Sequence, residues 1–469
     1  MKRLFCLVLC ALIALSGASC KVVAKPEETA GTGVLSPTVT AYITAEPTET
    51  PDTTPGTAQA LDYAQETVQF IDMLLEEDYT GCEERLDPMV LSQLGAGGLE
   101  QMWEAVIAEC GPFIRYETGR TYTRPYFLYS YTTVFCEFEN SGIAVTALYG
   151  GDTVIQSLLI NEYLPHSRLV YETSSEATPL IWKAASDDGS REMYLMGSFH
   201  LADESLYGMP EAIMDAYTAS DALALEYDLV EAALDLALYL EGQTALVYTD
   251  GSTIKDHLRP ETYEKAVAFL TGQNAYNEAY DSITATGWNS LVSVTIAGLA
   301  GLDSNYGVDM YFASLAHADG KKILEVESQK FQQDLLGSVS EELWDFYIST
   351  SIDYYLDMQD QIKAMYQAYF TGNEAALIEL IREDEEIDTE DPAFVAYTQE
   401  EIARLIEEND RYNSLLMAER NAGMLNTAIG YLESGATVFF LVGAAHILGE
   451  IGLVSLLTQA GYTVEQLVY

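Results

Sequence analysis

Two stretches of the chain decide the fold: MYLMGSFH, at Met193–His200, and TVFFLVGAAH, at Thr437–His446. Each opens with an apolar run of strand length, and each closes with the tetrad Gly-x-x-His. A third apolar run, Ala222–Leu225, is followed directly by Glu226. Short apolar strands that alternate with helical segments predict a sheet of the α/β type that is covered by helices.

The two tetrads indicate a site at one edge of that sheet. Glycine lets the chain turn sharply where a strand ends, and the histidine then projects over the carboxyl edge. Ligands of open α/β sheets bind along that edge. His200, His446 and Glu226 are therefore predicted to converge as a two-histidine, one-carboxylate metal site. The alternative is a pair of unrelated strand-end histidines with capping or core roles. The other histidines are predicted to be surface residues: His166, His257 and His317.

The α/β pattern extends over residues 179–469 and predicts one domain with a large helical insertion. The helical region runs from about Leu229 to Leu299. A strand is predicted at Lys322–Val326, and a last strand near Tyr462–Leu467.

Residues 61–172 have a different pattern, in which helices come first and strands follow. Helices are predicted over Glu83–Leu94 and Leu99–Cys110, and alternating residues from Phe127 onward predict an antiparallel sheet. The chain is thus predicted to combine two domains, one α+β and one α/β. This first stretch resembles a small domain of unknown function from Gram-positive secreted proteins, similar in outline to the nuclear-transport-factor-like cone. The resemblance implies a binding or dimerising module.

Residues 1–20 resemble a bacterial lipoprotein signal peptide. Two basic residues precede the apolar run Leu4–Leu15, which is too short to span a membrane. Small residues then lead to Cys20 as in a lipobox, although leucine is usual where Gly17 stands. The resemblance implies an extracytoplasmic protein that is held to the bacterial cell membrane only by a lipid on Cys20. A plain signal peptide with an incidental cysteine is the alternative. Residues 21–60, rich in Thr, Pro and Glu, predict a disordered linker.

The composition argues against a nucleic-acid partner and against cysteine-based sites in the later part of the chain. The chain has 469 residues, with 22 Lys and Arg against 73 Asp and Glu, and a formal net charge of −51. Such a surface repels phosphate backbones, so nucleic acid is not an expected partner. The last cysteine is Cys136, so the last two thirds of the chain contains neither a thiolate zinc site nor a cysteine nucleophile.

Five segments resemble the TraB/PrgY/GumN family, which includes bacterial pheromone-shutdown proteins and the animal Tiki proteases. They occur in the family's order and contain both tetrads: YLMGSFHLAD, ALEYD, YGVDMYFASLAHADGKKILEVESQ, YFTGNEAALIEL and ERNAGMLNTAIGYLESGATVFFLVGAAHILGEIGLVSLLTQAGYTVEQL. The resemblance covers about Ile181–Tyr469 and implies a fold similar to that of erythromycin-esterase-like hydrolases. Ser198 stands where the family's first tetrad usually has threonine, so a hydroxyl is retained.

The resemblance also assigns positions to individual residues. His200 and His446 match the tetrad histidines, and Glu226 matches the acid that closes the second strand. The other matches are two further acids and the family's Arg-Asn pair: Asp309, Glu327 and Arg420-Asn421.

The leading hypothesis is a surface-anchored, metal-dependent hydrolase that acts on a peptide or small molecule. A divalent ion (Mn²⁺, Co²⁺, Fe²⁺ or Zn²⁺) would be held by the two histidines and Glu226, with Asp309 as a further ligand, and would activate a water. Glu327 or Asp309 would act as general base, and Arg420 would hold a substrate carboxylate or the oxyanion. One alternative remains open, a non-catalytic protein that sequesters a peptide signal, a metal or haem. A structural surface protein, with the first domain as its working part, is disfavoured because both histidines and all the acids are retained.

Overall fold

The computed structural model describes residues 61–163, 176–381 and 389–469, together with residues 165, 167 and 169. The predicted signal peptide, the lipid-bearing Cys20, the linker 21–60 and part of the predicted domain boundary at 172–179 lie outside these residues. The described chain is a mixed α and β protein with two sheets, as the sequence predicted. Within these ranges, no helix is both long and apolar enough to cross a membrane.

The described residues form two compact units. The smaller unit contains residues 61–163 and a short later segment, Ala233–Leu240. Its helices are α1 (Tyr63–Leu75), α2 (Tyr79–Glu84), α3 (Pro88–Leu94) and α4 (Gly98–Cys110). Its strands are β1 (Phe113–Tyr116), β2 (Tyr122–Tyr126), β3 (Tyr129–Phe138), β4 (Gly142–Tyr149) and β5 (Ile155–Tyr163).

All the strand pairs of this smaller unit are antiparallel. The sheet has the order β1-β3-β4-β5, and β2 also pairs with β3. Two local predictions are wrong. The helix predicted over Glu83–Leu94 is interrupted, because Asp87 caps a new helix that starts at Pro88. The strand predicted from Phe127 begins instead at Tyr129, because Phe127 takes a positive φ of 54° in the turn between β2 and β3.

Ala233–Leu240 lies in the middle of the predicted helical insertion, yet it groups with the smaller unit. Asp235 accepts hydrogen bonds from Arg124 Nη1 and Tyr131 Oη, each at 2.5 Å. Leu236 and Tyr239 pack in the same apolar cluster as Tyr131. These contacts join residues about a hundred positions apart, which explains why the local helical pattern did not reveal them.

The larger unit contains the remaining elements. Its strands are β6 (Ile181–Ala185), β7 (Glu192–Ser198), β8 (Ala222–Leu225), β9 (Lys322–Glu325), β10 (Val438–Gly443) and β11 (Thr463–Gln466). Its helices, with two whose chain bridges or borders the smaller unit, are α5 (Glu211–Ala219), α6 (Leu229–Leu234), α7 (Leu236–Ala245), α8 (Ile254–His257), α9 (Pro260–Gly272), α10 (Ala285–Leu299), α11 (Val308–Asp319), α12 (Gln329–Gly337), α13 (Glu341–Asp353), α14 (Tyr355–Phe370), α15 (Glu374–Ile381), α16 (Gln399–Ser414), α17 (Arg420–Ser434), α18 (Ala444–Ile447) and α19 (Leu453–Gln459). Short 3₁₀ segments occur at Glu204–Leu206, Glu278–Ser282, Ser304–Tyr306 and Pro392–Phe394.

The sheet of the larger unit has the order β11-β6-β7-β10-β8-β9. The four strands β7, β10, β8 and β9 are parallel, and β6 and β11 are antiparallel to their neighbours. Every residue of β8 and β10 is buried, which is why both read as continuous apolar runs in the sequence. Both strands therefore lie in the interior of the sheet, and β10 lies between β7 and β8.

Candidate functional site

The three predicted site residues follow three neighbouring parallel strands. In the strand register, Ser198 at the end of β7 pairs with Gly443 at the end of β10. Leu225 at the end of β8 pairs with Leu441 of β10. Parallel strands end at the same edge of a sheet, so the residues that follow them meet there. The residues that follow these three strands include His200, Glu226 and His446.

Their side chains converge on one point above Gly443. A Cβ atom placed on Gly443 would lie 3.3 Å from Glu226 Oε1, 3.3 Å from His200 Nε2 and 3.5 Å from His446 Cδ2. Because all three atoms lie so near that point, they also lie close to one another. The structure thus brings together the two tetrad histidines and Glu226, although 246 positions separate the histidines in the chain.

The glycines of the tetrads act through their missing side chains rather than through turn geometry. A Cβ on Gly197 would lie 2.7 Å from the Cα of Ala444, so the backbone would have to shift to admit it. Gly443 has a φ of −48°, which any residue can adopt, so its role is to leave space between the converging groups. The sharp turn expected from the sequence is therefore not the reason for glycine at either position.

Asp309 orients His200. Its Oδ2 lies 2.7 Å from His200 Nδ1, so the carboxylate accepts a hydrogen bond from that nitrogen and leaves Nε2 toward the site. Gly307 makes this possible, because a Cβ there would lie 2.8 Å from the carbonyl oxygen of His200. Burial lowers the pKa of His200, but Asp309, with a smaller contribution from Glu226, more than offsets it and raises the pKa to about 8.

Asn421 orients His446 in the same way. Asn421 Nδ2 donates to the carbonyl oxygen of Ile451 at 2.7 Å, which fixes the amide, and its Oδ1 lies 2.6 Å from His446 Nδ1. Nδ1 therefore carries the proton and Nε2 the free electron pair. Burial and the nearby Arg420 lower the pKa of His446 to about 3, so this imidazole is uncharged at neutral pH.

Glu226 and Glu327 are held together by Arg420. Arg420 Nη2 lies 2.8 Å from Oε2 of both carboxylates, and its Nε donates to Glu327 Oε1 at 3.0 Å. Gln332 Nε2 also donates to both carboxylates, at 2.8 and 3.1 Å. Burial raises the pKa of Glu226, but Arg420 and the two imidazoles outweigh it and hold that pKa below its usual range. Gln332 was missed by the sequence analysis, because no local pattern marks it.

A π-helical turn, Leu415–Glu419, sets the position of Arg420. It joins α16 to α17 without a break, and Arg420 is the first residue after it. Such wide turns change the helical register and are frequent at functional sites. Here the turn brings Leu416, Met417 and Arg420 to the same cavity.

The cavity above the sheet edge is polar at its base and apolar on its walls. It measures about 630 Å³ only when its open mouth is counted. The base is formed by His200, Glu226, Arg420 and His446. The walls are apolar side chains: Phe199, Met365, Leu377, Ile381, Leu416 and Met417.

The predicted metal ligands fit a divalent ion only in part. Within the described ranges, no group of three or more His, Cys, Asp or Glu side chains is arranged to hold a metal. The two imidazoles suit the role, because each is hydrogen-bonded through Nδ1 and can present Nε2 to an ion; His200, with its raised pKa, must first lose the proton on that nitrogen. Glu226 Oε1 accepts a single hydrogen bond, from the backbone N–H of Gly443 at 2.8 Å, and its Oε2 is taken by Arg420 and Gln332. Asp309 lies behind His200, on the Nδ1 side of the ring.

The other histidines lie away from this site or outside the described residues. His257 stacks on Tyr248 with ring centroids 3.9 Å apart. His317 Nε2 lies 2.8 Å from an oxygen of Asp228. His166 is not among the described residues. The cysteines within the described ranges are buried and form no disulfide there: Cys82, Cys110 and Cys136.

A six-stranded, mostly parallel sheet with two Gly-x-x-His histidines at its carboxyl edge defines the class of domain. The model of the TraB/PrgY/gumN family matches residues 180–466, and the chain belongs to that family. This confirms the resemblance inferred from the sequence. Searches of curated proteins and of solved structures gave no match.

Proposed function

We propose that this chain is a metal-dependent hydrolase that acts on a peptide, and that its site is the cavity above Gly443. The observation that carries the proposal is the convergence of His200 Nε2, Glu226 Oε1 and His446 on the space that Gly443 leaves open. Two nitrogens and one carboxylate oxygen are a common ligand set for Mn²⁺, Co²⁺, Fe²⁺ and Zn²⁺. The proposal includes two expectations from the family resemblance: metal-dependent peptidase activity and a fold similar to that of erythromycin-esterase-like hydrolases.

The charges of the site favour a bound cation. Three carboxylates, Glu226, Glu327 and Asp309, surround one guanidinium, that of Arg420. His446 is neutral and His200, with its raised pKa, keeps a proton in the metal-free site, so one negative charge remains there. Loss of that proton to make room for an ion would leave two, and buried charges are stable only when they are compensated. A divalent ion between His200, His446 and Glu226 would balance them, and when bound it would polarise a substrate carbonyl and lower the pKa of a water.

The chain's own residues then have the following roles. Asp309 and Asn421 hold the two imidazoles in one tautomer and one orientation. Arg420 fixes the position of Glu226 and is itself held by Glu327. The general-base role first considered for Glu327 or Asp309 is not retained, since each carboxylate is already committed to a positively charged or protonated partner. The apolar walls exclude water and receive the uncharged part of the substrate.

A second candidate is a binding protein that captures a peptide, a metal or haem without turnover. The specific observation in its favour is that Arg420 is bonded to both carboxylates, Glu226 and Glu327, so the site has no acid that is free to act as a base.

In either case we propose that the protein is extracytoplasmic and is anchored to the bacterial cell membrane by a lipid on Cys20.

Metal analysis and peptide cleavage test the proposal together. The purified protein is expected to retain a divalent ion and to cleave members of a peptide library, and a chelator should abolish the cleavage. His200→Ala and His446→Ala should each lose both properties, whereas His257→Ala, a histidine bonded to Glu341 elsewhere, should keep them. Metal or peptide binding without any cleavage would favour the binding protein. If the protein shows no binding and no cleavage, both candidates are refuted.

A further inference from the structure

The Ser198 hydroxyl lies at the centre of the site but has no role in the network described so far. Ser198 ends β7, pairs with Gly443 in the neighbouring strand and is 1% exposed. It lines the main cavity together with His200 and Glu226. It also lines a second, smaller cavity, next to Asp309.

Its oxygen differs from the other polar groups of the site in having no partner. Ser198 Oγ is buried and makes no hydrogen bond with any residue in the described part of the chain. By contrast, His200 and His446 are each bonded through Nδ1, and both oxygens of Glu226 accept hydrogen bonds. A buried hydroxyl that lacks a partner destabilises a fold, and alanine at that position would avoid the cost. The hydroxyl therefore has a use that the fold alone does not account for.

We propose that Ser198 Oγ donates a hydrogen bond to an oxygen of the molecule bound above Gly443. In the proposed hydrolase, on which this inference rests, that oxygen is the carbonyl oxygen of the peptide bond under attack. An uncharged donor suits this position, because it binds a developing oxyanion more strongly than a neutral carbonyl without adding a charge beside Arg420. The step involves a hydrogen bond only, and no bond to Ser198 is formed or broken. Ser198 is thus assigned as a catalytic residue that touches the substrate.

Two substitutions in the full chain separate this role from a structural one. Ser198→Ala removes the hydroxyl, and Ser198→Thr retains it. In the free protein, Ser198→Ala should leave the urea midpoint of unfolding unchanged or raise it. In cleavage of a peptide library, Ser198→Ala should lower kcat by about 100-fold, as loss of an oxyanion donor does, whereas Ser198→Thr should restore most of it. Binding of Zn²⁺, used alone as the probe, should be the same in all three proteins.

Three results would overturn the inference. A clearly lower unfolding midpoint for free Ser198→Ala would mean that the hydroxyl has a partner inside the fold. An unchanged kcat in Ser198→Ala would mean that it does not touch the substrate. If the wild-type protein binds peptides without cleaving them, the proposed hydrolase activity is refuted. Peptide binding by the two Ser198 variants then tests the inference. Weaker binding by Ser198→Ala than by Ser198→Thr then supports it, and equal binding, including none, overturns it.

Discussion

Gly443→Ala tests the site most directly, because the added Cβ would lie between its three converging side chains. That atom would be 3.3 Å from both Glu226 Oε1 and His200 Nε2, and 3.5 Å from His446 Cδ2. The first two distances are shorter than normal van der Waals contacts, so each group must move by a few tenths of an ångström. The φ of −48° is accessible to alanine, and no backbone strain is expected.

The effect on stability should be small and the effect on function large. Replacing glycine by alanine at a compatible φ stabilises by about 0.4–1 kcal/mol through the unfolded state, and crowding a packed site costs about 1–3 kcal/mol. The free energy of unfolding should therefore fall by no more than about 3 kcal/mol. The space between His200 and Glu226 is filled, however, so affinity for a divalent ion should drop by about 10- to 100-fold, and cleavage should drop with it.

Isothermal titration with Zn²⁺, peptide cleavage and urea unfolding measure the three quantities. Gly430→Ala is the matched control, because a Cβ on this helical glycine would meet no atom within 4 Å. It should raise stability by up to about 1 kcal/mol and leave binding and cleavage unchanged. Wild-type metal affinity and cleavage in Gly443→Ala would refute the reasoning that the space above this glycine is the site.

Three further outcomes are expected. Gly197→Ala should destabilise by about 1–3 kcal/mol or more in urea unfolding, because its Cβ would press on the backbone of Ala444, and wild-type stability would contradict that contact. Arg420→Met should cost about 3–5 kcal/mol, since it leaves two buried carboxylates unpaired, whereas Arg404→Met at an exposed ion pair should change stability by less than about 1 kcal/mol; equal effects would rule out the buried network. The buried thiol of Cys82, whose pKa burial raises to about 12, should resist iodoacetamide at pH 8 until the protein unfolds, as peptide mass spectrometry would report, and rapid labelling of the native protein would show that the thiol is accessible.

The sequence by itself determined the strands and the residues that follow them. β8 and β10 are buried on both faces, so their apolar runs are visible without any knowledge of their neighbours. The histidine or glutamate that follows each strand is likewise a local feature. Because the strands are parallel, their ends had to meet at one edge, and the convergence of His200, Glu226 and His446 could be predicted.

Only the tertiary structure decided what each of these side chains is bonded to. Asp309 orients His200 from 109 positions away, and Arg420 joins Glu226 across 194 positions. The π-helical turn that sets Arg420, and the pairing of Asp235 with Arg124, have no signature in the local pattern. Periodicity records which face of an element is buried. It does not record the partner of a buried polar group, because that partner is chosen by the packing of distant elements.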